Sequence, residues 1–147
     1  MIQDETICRQ LLELILDKKI GIVRFDDENT FNEISMEKTL MKGPALKAVK
    51  LDVFVTDEQA WYNVEMLCYM DKDLPKRSRM YQAEIDSDRL KGGQPYSELR
   101  DSYIIFICNY DPFGRGKAVY RFQYTENDEK DLYLGDGTYK IYLNTAC

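Results

Sequence analysis

The sequence predicts an α/β protein in which a mixed β-sheet is flanked by helices, and three stretches carry that prediction. Val49 to Met70 alternates apolar and polar residues on both sides of Asp57–Ala60, the pattern of an antiparallel hairpin. Ser102 to Tyr110, SYIIFICNY, is the most apolar run and suits a central strand covered on both faces. Between them, Leu74 to about Leu90 has the length and punctuation of a helix, so strand, helix and buried strand form a right-handed crossover to a parallel neighbour. Antiparallel pairing on one side and parallel pairing on the other make the sheet mixed.

The chain in order supports this architecture. Residues 4–17 predict a helix with Asp4 as N-cap and Ile7, Leu11, Leu14 and Ile15 at helical spacing. Glu13 within it is read as a surface charge in preference to an extra metal ligand. Lys18 and Lys19 close the helix favourably against its dipole. Ile20–Phe25 reads as a strand, Asp26–Asn29 as a turn and Thr30–Ile34 as a weaker strand, with Glu33 and Glu37 solvated. A polar connection through Gly43-Pro44 leads into the hairpin. After a break at Asp71–Asp73, Asp73 and Pro75 start the second helix and Gly92-Gly93 stop it. On that helix Arg79, Gln82 and Asp86 share a face, and Tyr81 pairs with Ile85. Gln94–Arg100 is a loop. Asp111–Gly116 is a turn whose glycines suggest positive φ; no helix or G-K-[ST] follows, so it is not a phosphate-binding loop. Ala118–Thr125 and Thr138–Asn144 complete the sheet, separated by acidic Glu126–Asp131 and a Gly135-Asp136-Gly137 turn.

Composition narrows the chemistry. A length of 147 residues fits one domain, 1–147, with a single core. With 44% hydrophobic and 31% charged residues, no membrane-spanning run and no leader-like start, a cytoplasmic protein is expected. The net charge of −6 counts against broad attraction to nucleic acid but leaves room for a local basic groove. The absence of histidine removes the Ser-His-Asp and Cys-His arrangements. Cys8, Cys68, Cys108 and Cys147 show no C-x-x-C spacing, and Cys68 and Cys108 are expected as reduced core residues. Acid, base or metal chemistry therefore falls to carboxylates, Lys, Tyr or bound water.

The hairpin offers such a constellation. Symmetry about Glu58-Gln59 pairs Val55 with Tyr62, Val53 with Val64, and Asp52 with Glu65. Residues opposed across antiparallel strands lie roughly 4.5–5.5 Å apart at Cβ, where like charges destabilise the sheet and a cation reverses the sign. Two hard oxygen ligands at that separation suit Mg²⁺. The plainer reading, favoured on the hairpin alone, is two acids on a wet face repelling weakly. Lys76, Arg77 and Arg79 form the most basic local segment, which is more often solvated surface than a phosphate grip.

Five blocks, DETICRQLLELIL, KLDVFVTDEQAWYNVEM, KRSRMYQAEIDSDRLKGGQPYSEL, YIIFICNYDPFG and LGDGTYKIYLNT, together resemble the Rpn family of recombination-promoting nucleases and transposases, within the PD-(D/E)XK nuclease superfamily. The resemblance covers nearly the whole chain. It implies a restriction-endonuclease-like fold and metal-dependent cleavage of DNA by an endonuclease. Carried over by position, Asp52 and Glu65 match the metal carboxylates; with the Met66 backbone carbonyl they would hold Mg²⁺ or Mn²⁺. Lys76 and Arg79 would neutralise phosphates without reading sequence. Leu67 departs from the pattern, since the family has Gln and the superfamily Lys two residues after the acid; leucine can neither accept a proton nor orient water. Gln82 would either take over that role as a catalytic residue or hydrogen-bond the hairpin backbone. A degenerate nuclease fold acting as a nucleic-acid-binding or assembly module is the alternative. Relative to the family, the chain is expected to lack a short aromatic segment before the first helix and a charged tail. DNA is the expected partner, with homodimerisation left open.

Overall fold

The computed structural model describes residues 5–22, 24–25 and 53–146. Helix α1 spans Glu5–Leu16, strand β1 Arg24–Phe25, β2 Val53–Thr56 and β3 Ala60–Leu67. Helix α2 spans Leu74–Arg89, a 3-10 turn Tyr96–Glu98, β4 Asp101–Cys108, β5 Val119–Phe122 and β6 Thr138–Asn144. Among the described residues six strands form one sheet in the order β1-β2-β3-β4-β6-β5. β3, β4 and β6 run parallel, whereas β1–β2, β2–β3 and β5–β6 pair antiparallel. This is the predicted mixed sheet, with α2 as the crossover between β3 and β4. Among the described residues no helix is long and apolar enough to cross a membrane.

The hairpin register is the predicted one: Val53 opposes Val64, Phe54 opposes Asn63, and Val55 opposes Tyr62. Asp57 fixes it. Its Oδ1 accepts the N–H groups of Gln59 at 2.9 Å and Ala60 at 2.7 Å, and its Oδ2 accepts the Tyr62 hydroxyl at 3.2 Å. A short aspartate bonding its own backbone two and three residues on is the usual way such a side chain nucleates a turn. Each face of the sheet has its own core. Leu12 and Ile15 of α1 pack with Val55, Tyr62, Val64, Ile105 and Ile141. Leu74, Tyr81 and Ile85 of α2 pack with Trp61, Leu67, Ile104, Phe106 and Tyr142. The alternation of β3 and β4 between these two clusters explains why residues 103–108 of β4 are apolar without interruption.

Several expectations change in detail. Cys108 is buried, but Cys68 is exposed because β3 ends at Leu67, so Cys68 is not a core residue. Glu13 is more than a surface charge: it accepts the Ile20 N–H at 2.9 Å and lies 3.9 Å from Lys19 Nζ, tying the chain after α1 back to the helix. Lys18 leaves the helix end to donate to the Tyr103 hydroxyl at 2.8 Å. Ala118–Thr125 contributes a shorter strand than expected, and Thr125 makes an isolated bridge to Tyr133. The loop after β4 closes on Asp111, which accepts the N–H groups of Phe113, Gly114 and Gly116 and the Tyr120 hydroxyl. Gly114 and Gly116 take the positive φ values, 64° and 71°, that the loop requires. The Asp4 cap, the 26–29 turn, the 30–34 strand with Glu33 and Glu37, the Gly43-Pro44 connection, Asp52 and Cys147 lie outside the described residues.

Candidate active site

Glu65 sits near the C-terminal end of β3 and faces the layer covered by α2. Only 5% of it is exposed, and Leu67, next on the same face, is 3% exposed and belongs to the α2-side core. The Met66 side chain turns the other way and is exposed. A carboxylate this deep needs a cation or several donors. The first turns of α2 supply one: Arg77 Nη2 donates to Glu65 Oε1 at 2.5 Å.

Arg77 is itself held on several sides. Its Nε donates to the Tyr81 hydroxyl at 2.7 Å, and its Nη1 donates to Asp71 Oδ2 at 3.1 Å and the Tyr69 hydroxyl at 3.4 Å. Burial works against the guanidinium charge, but these hydrogen bonds and the Glu65 carboxylate outweigh it and hold the Arg77 pKa above its ordinary value. Burial also pushes the Tyr81 phenol up to about 12, with the Glu65 charge adding to the effect. The phenol is therefore a neutral donor at ordinary pH. A planar fork reaching two carboxylates and two hydroxyls from one residue is a geometry that lysine could not reproduce.

Two further polar side chains interrupt the same face. Asn63 is fully buried between Phe54 and Ile104 in the ladder, and its amide atoms find no hydrogen-bond partner among the described residues. Gln82 is buried, donates through Nε2 to the Ser102 carbonyl at 2.9 Å, and accepts from Lys140 Nζ at 2.6 Å. Ser102 pairs with Trp61 and Phe106 with Glu65. Four residues along a strand span ~13 Å. The backbone that Gln82 grips is therefore that of β4, not the hairpin, and is well removed from the Glu65 rung.

The basic residues divide across α2. Lys76 and Arg79 are both exposed. Arg79 lines a cleft with Phe113, Phe122 and Lys140 on the β5–β6 side, so Arg77 and not Arg79 meets the acid. Sequence reasoning missed Arg77 as a site residue. Its signal was the i, i+4 spacing to Tyr81, whose ring the α2 pattern already turned inward. Among the described residues no group of three His, Cys, Asp or Glu side chains could hold a metal ion.

A family model described as PD-(D/E)XK nuclease family transposase matches residues 3–145. No curated protein matches, and no solved structure matches.

Proposed function

The chain belongs to the PD-(D/E)XK nuclease family of transposases, and from that premise we propose that it is a metal-dependent DNA endonuclease domain of the Rpn type, spanning 1–147. The observation that carries this reading is a buried carboxylate, Glu65, presented at the end of β3 beneath a basic helix turn. The β2–β3 register supports Asp52 as its partner acid, since Val53 opposes Val64 one position short of that pair.

PD-(D/E)XK nucleases generally use divalent metals, and the donors proposed here fit a hard one. Asp52, Glu65 and the Met66 carbonyl offer oxygen only, the set that suits Mg²⁺ or Mn²⁺. Arg77 already occupies Glu65 Oε1, so a bound ion would share or displace that contact. Bound there, the ion would supply Lewis-acid polarisation of a phosphodiester. The chain's own contribution is positional. Arg77 holds Glu65 in place, and Lys76 and Arg79 on the exposed side of α2 neutralise the phosphate backbone. Leu67 contributes no proton acceptor, Tyr81 stays protonated, and Gln82 is engaged by Ser102 and Lys140.

That same shortage of a base favours a second reading, a degenerate nuclease fold that binds nucleic acid or serves assembly without cutting it. Calorimetric titration with Mg²⁺ or Mn²⁺ separates the two, with Asp52→Ala as control. The endonuclease requires saturable binding that the variant loses. A supercoiled-plasmid nicking assay of wild type beside Leu67→Gln then reads the missing polar group. Nicking by wild type, or by the variant alone, supports the metal site; failure of both leaves the binding module.

A further inference from the structure

The first turns of α2 separate two features. On one side Arg77 holds Glu65; on the other Pro75 and Arg79 border a cleft of about 340 Å³ walled by Phe113, Phe122, Tyr124 and Lys140. Its floor is Tyr142, which stands opposite Phe106, itself opposite Glu65. Two inter-strand spacings, ~10 Å, therefore separate the floor from the candidate catalytic rung.

The walls have the composition of a stacking platform. Phe122 is 46% exposed and Tyr124 55%, a large aromatic surface left in water. Phe113 is held in place by the Asp111-closed loop and packs edge-on against Tyr142, with centroids 5.0 Å apart. The volume lies near the lower end of the ~300–1,000 Å³ typical of small-molecule sites, room for one planar group and not for a helix. The two cations differ in availability. Lys140 donates to Gln82, lies 5.8 Å from the Tyr124 ring centroid, and feels the charges of Asp86 and Asp136. Arg79 is exposed and makes no ion pair or hydrogen bond among the described residues. In a chain of net charge −6, an unengaged guanidinium lining the same cleft as exposed aromatic rings is complementary to a base flanked by its phosphate.

We propose that this cleft receives one unpaired base of a DNA strand, stacked on Phe122 and Tyr124, with the adjoining phosphate on Arg79 and the strand crossing Lys76 towards Glu65. The inference deepens the reading of the chain as a DNA-acting protein and rests on it. It makes the preferred substrate a single-stranded or frayed end in place of an intact duplex.

The test is fluorescence anisotropy without divalent metal, using a labelled oligothymidylate and a blunt duplex of equal length. Wild type should bind the single strand more tightly. Phe122→Ala and Tyr124→Ala should each weaken that binding roughly 5-fold to 100-fold, while duplex binding changes less than about 2-fold. Arg79→Ala should weaken it too, and Arg79→Lys should restore most of the loss. Circular dichroism melting confirms that each variant is folded; both aromatic positions are exposed enough to tolerate truncation. Equal loss on both probes, no loss on either, or a change of oligomeric state in place of affinity overturns the cleft assignment. Cleft-dependent binding without nicking overturns the endonuclease reading alone, and no DNA binding by wild type overturns both.

Discussion

Arg77 is the cation that meets Glu65 beneath α2. The pair is buried on one side and partly wet on the other, with side-chain exposures of 6% for Glu65 and 25% for Arg77. Removing one member of such a pair leaves an uncompensated charge, which typically costs about 3–5 kcal/mol, whereas replacing both by apolar groups is often neutral. Arg77→Ala is therefore expected to lose about 3 kcal/mol in urea unfolding. Arg77→Met combined with Glu65→Leu should recover most of that loss. A single-variant loss below about 1 kcal/mol would show that water, not Arg77, solvates the acid. Arg77 also bonds Asp71 and Tyr81, so the double variant tests Glu65 against these other partners as well.

At the scale of elements, the hairpin and the crossover were legible because each rests on a local rule. Asp57 builds its own turn, period-2 alternation sets the strands, and Pro75 marks the helix start. Side-chain reach across elements was not legible. Nothing in the spacing of Gln82 says that it will grip Ser102 and Lys140, nor does a basic run say which member turns to Glu65. Cys68 misled because an apolar pattern carries no mark of where a strand stops being covered. The α2–β6 contact yields a pH prediction. Burial, reinforced by the charge of Asp136, raises the Asp86 pKa from 3.8 to about 6, against the attraction of Lys140; burial likewise lowers the Lys140 pKa. Both groups shift towards neutrality, so desolvation outweighs their mutual attraction. Because the folded chain prefers the protonated acid, the stability Asp86 contributes is complete below 3.8 and is lost as pH rises through about 6. Asp86→Asn should match wild type near the acid end of that window. Above it the variant should be more stable by roughly 1–3 kcal/mol. Denaturant midpoints measured across the window check this, and a gap independent of pH would refute it.

The whole molecule is acidic, and its exposed cations near the site are few. An electrostatic grip is read from how affinity falls with salt, because each neutralised phosphate on a single strand releases ~0.7 of a counterion. The exposed side of α2 offers Lys76 and Arg79, while Arg77 is committed to Glu65 and Asp71. Two phosphate contacts set the slope of log K against log salt at about −1 to −2, shallow for a DNA-binding protein. The net charge of −6 repels DNA beyond those contacts, so binding should be modest at physiological salt and depend on stacking that salt does not screen. Titrating the labelled oligothymidylate over a range of KCl concentrations measures the slope. Arg79→Ala should make it shallower by roughly 0.7, whereas Phe122→Ala should lower affinity without changing it. A slope of about −4 or steeper would mean that the protein meets DNA over a broad basic surface elsewhere, and the path from Arg79 across Lys76 to Glu65 would then have to be abandoned.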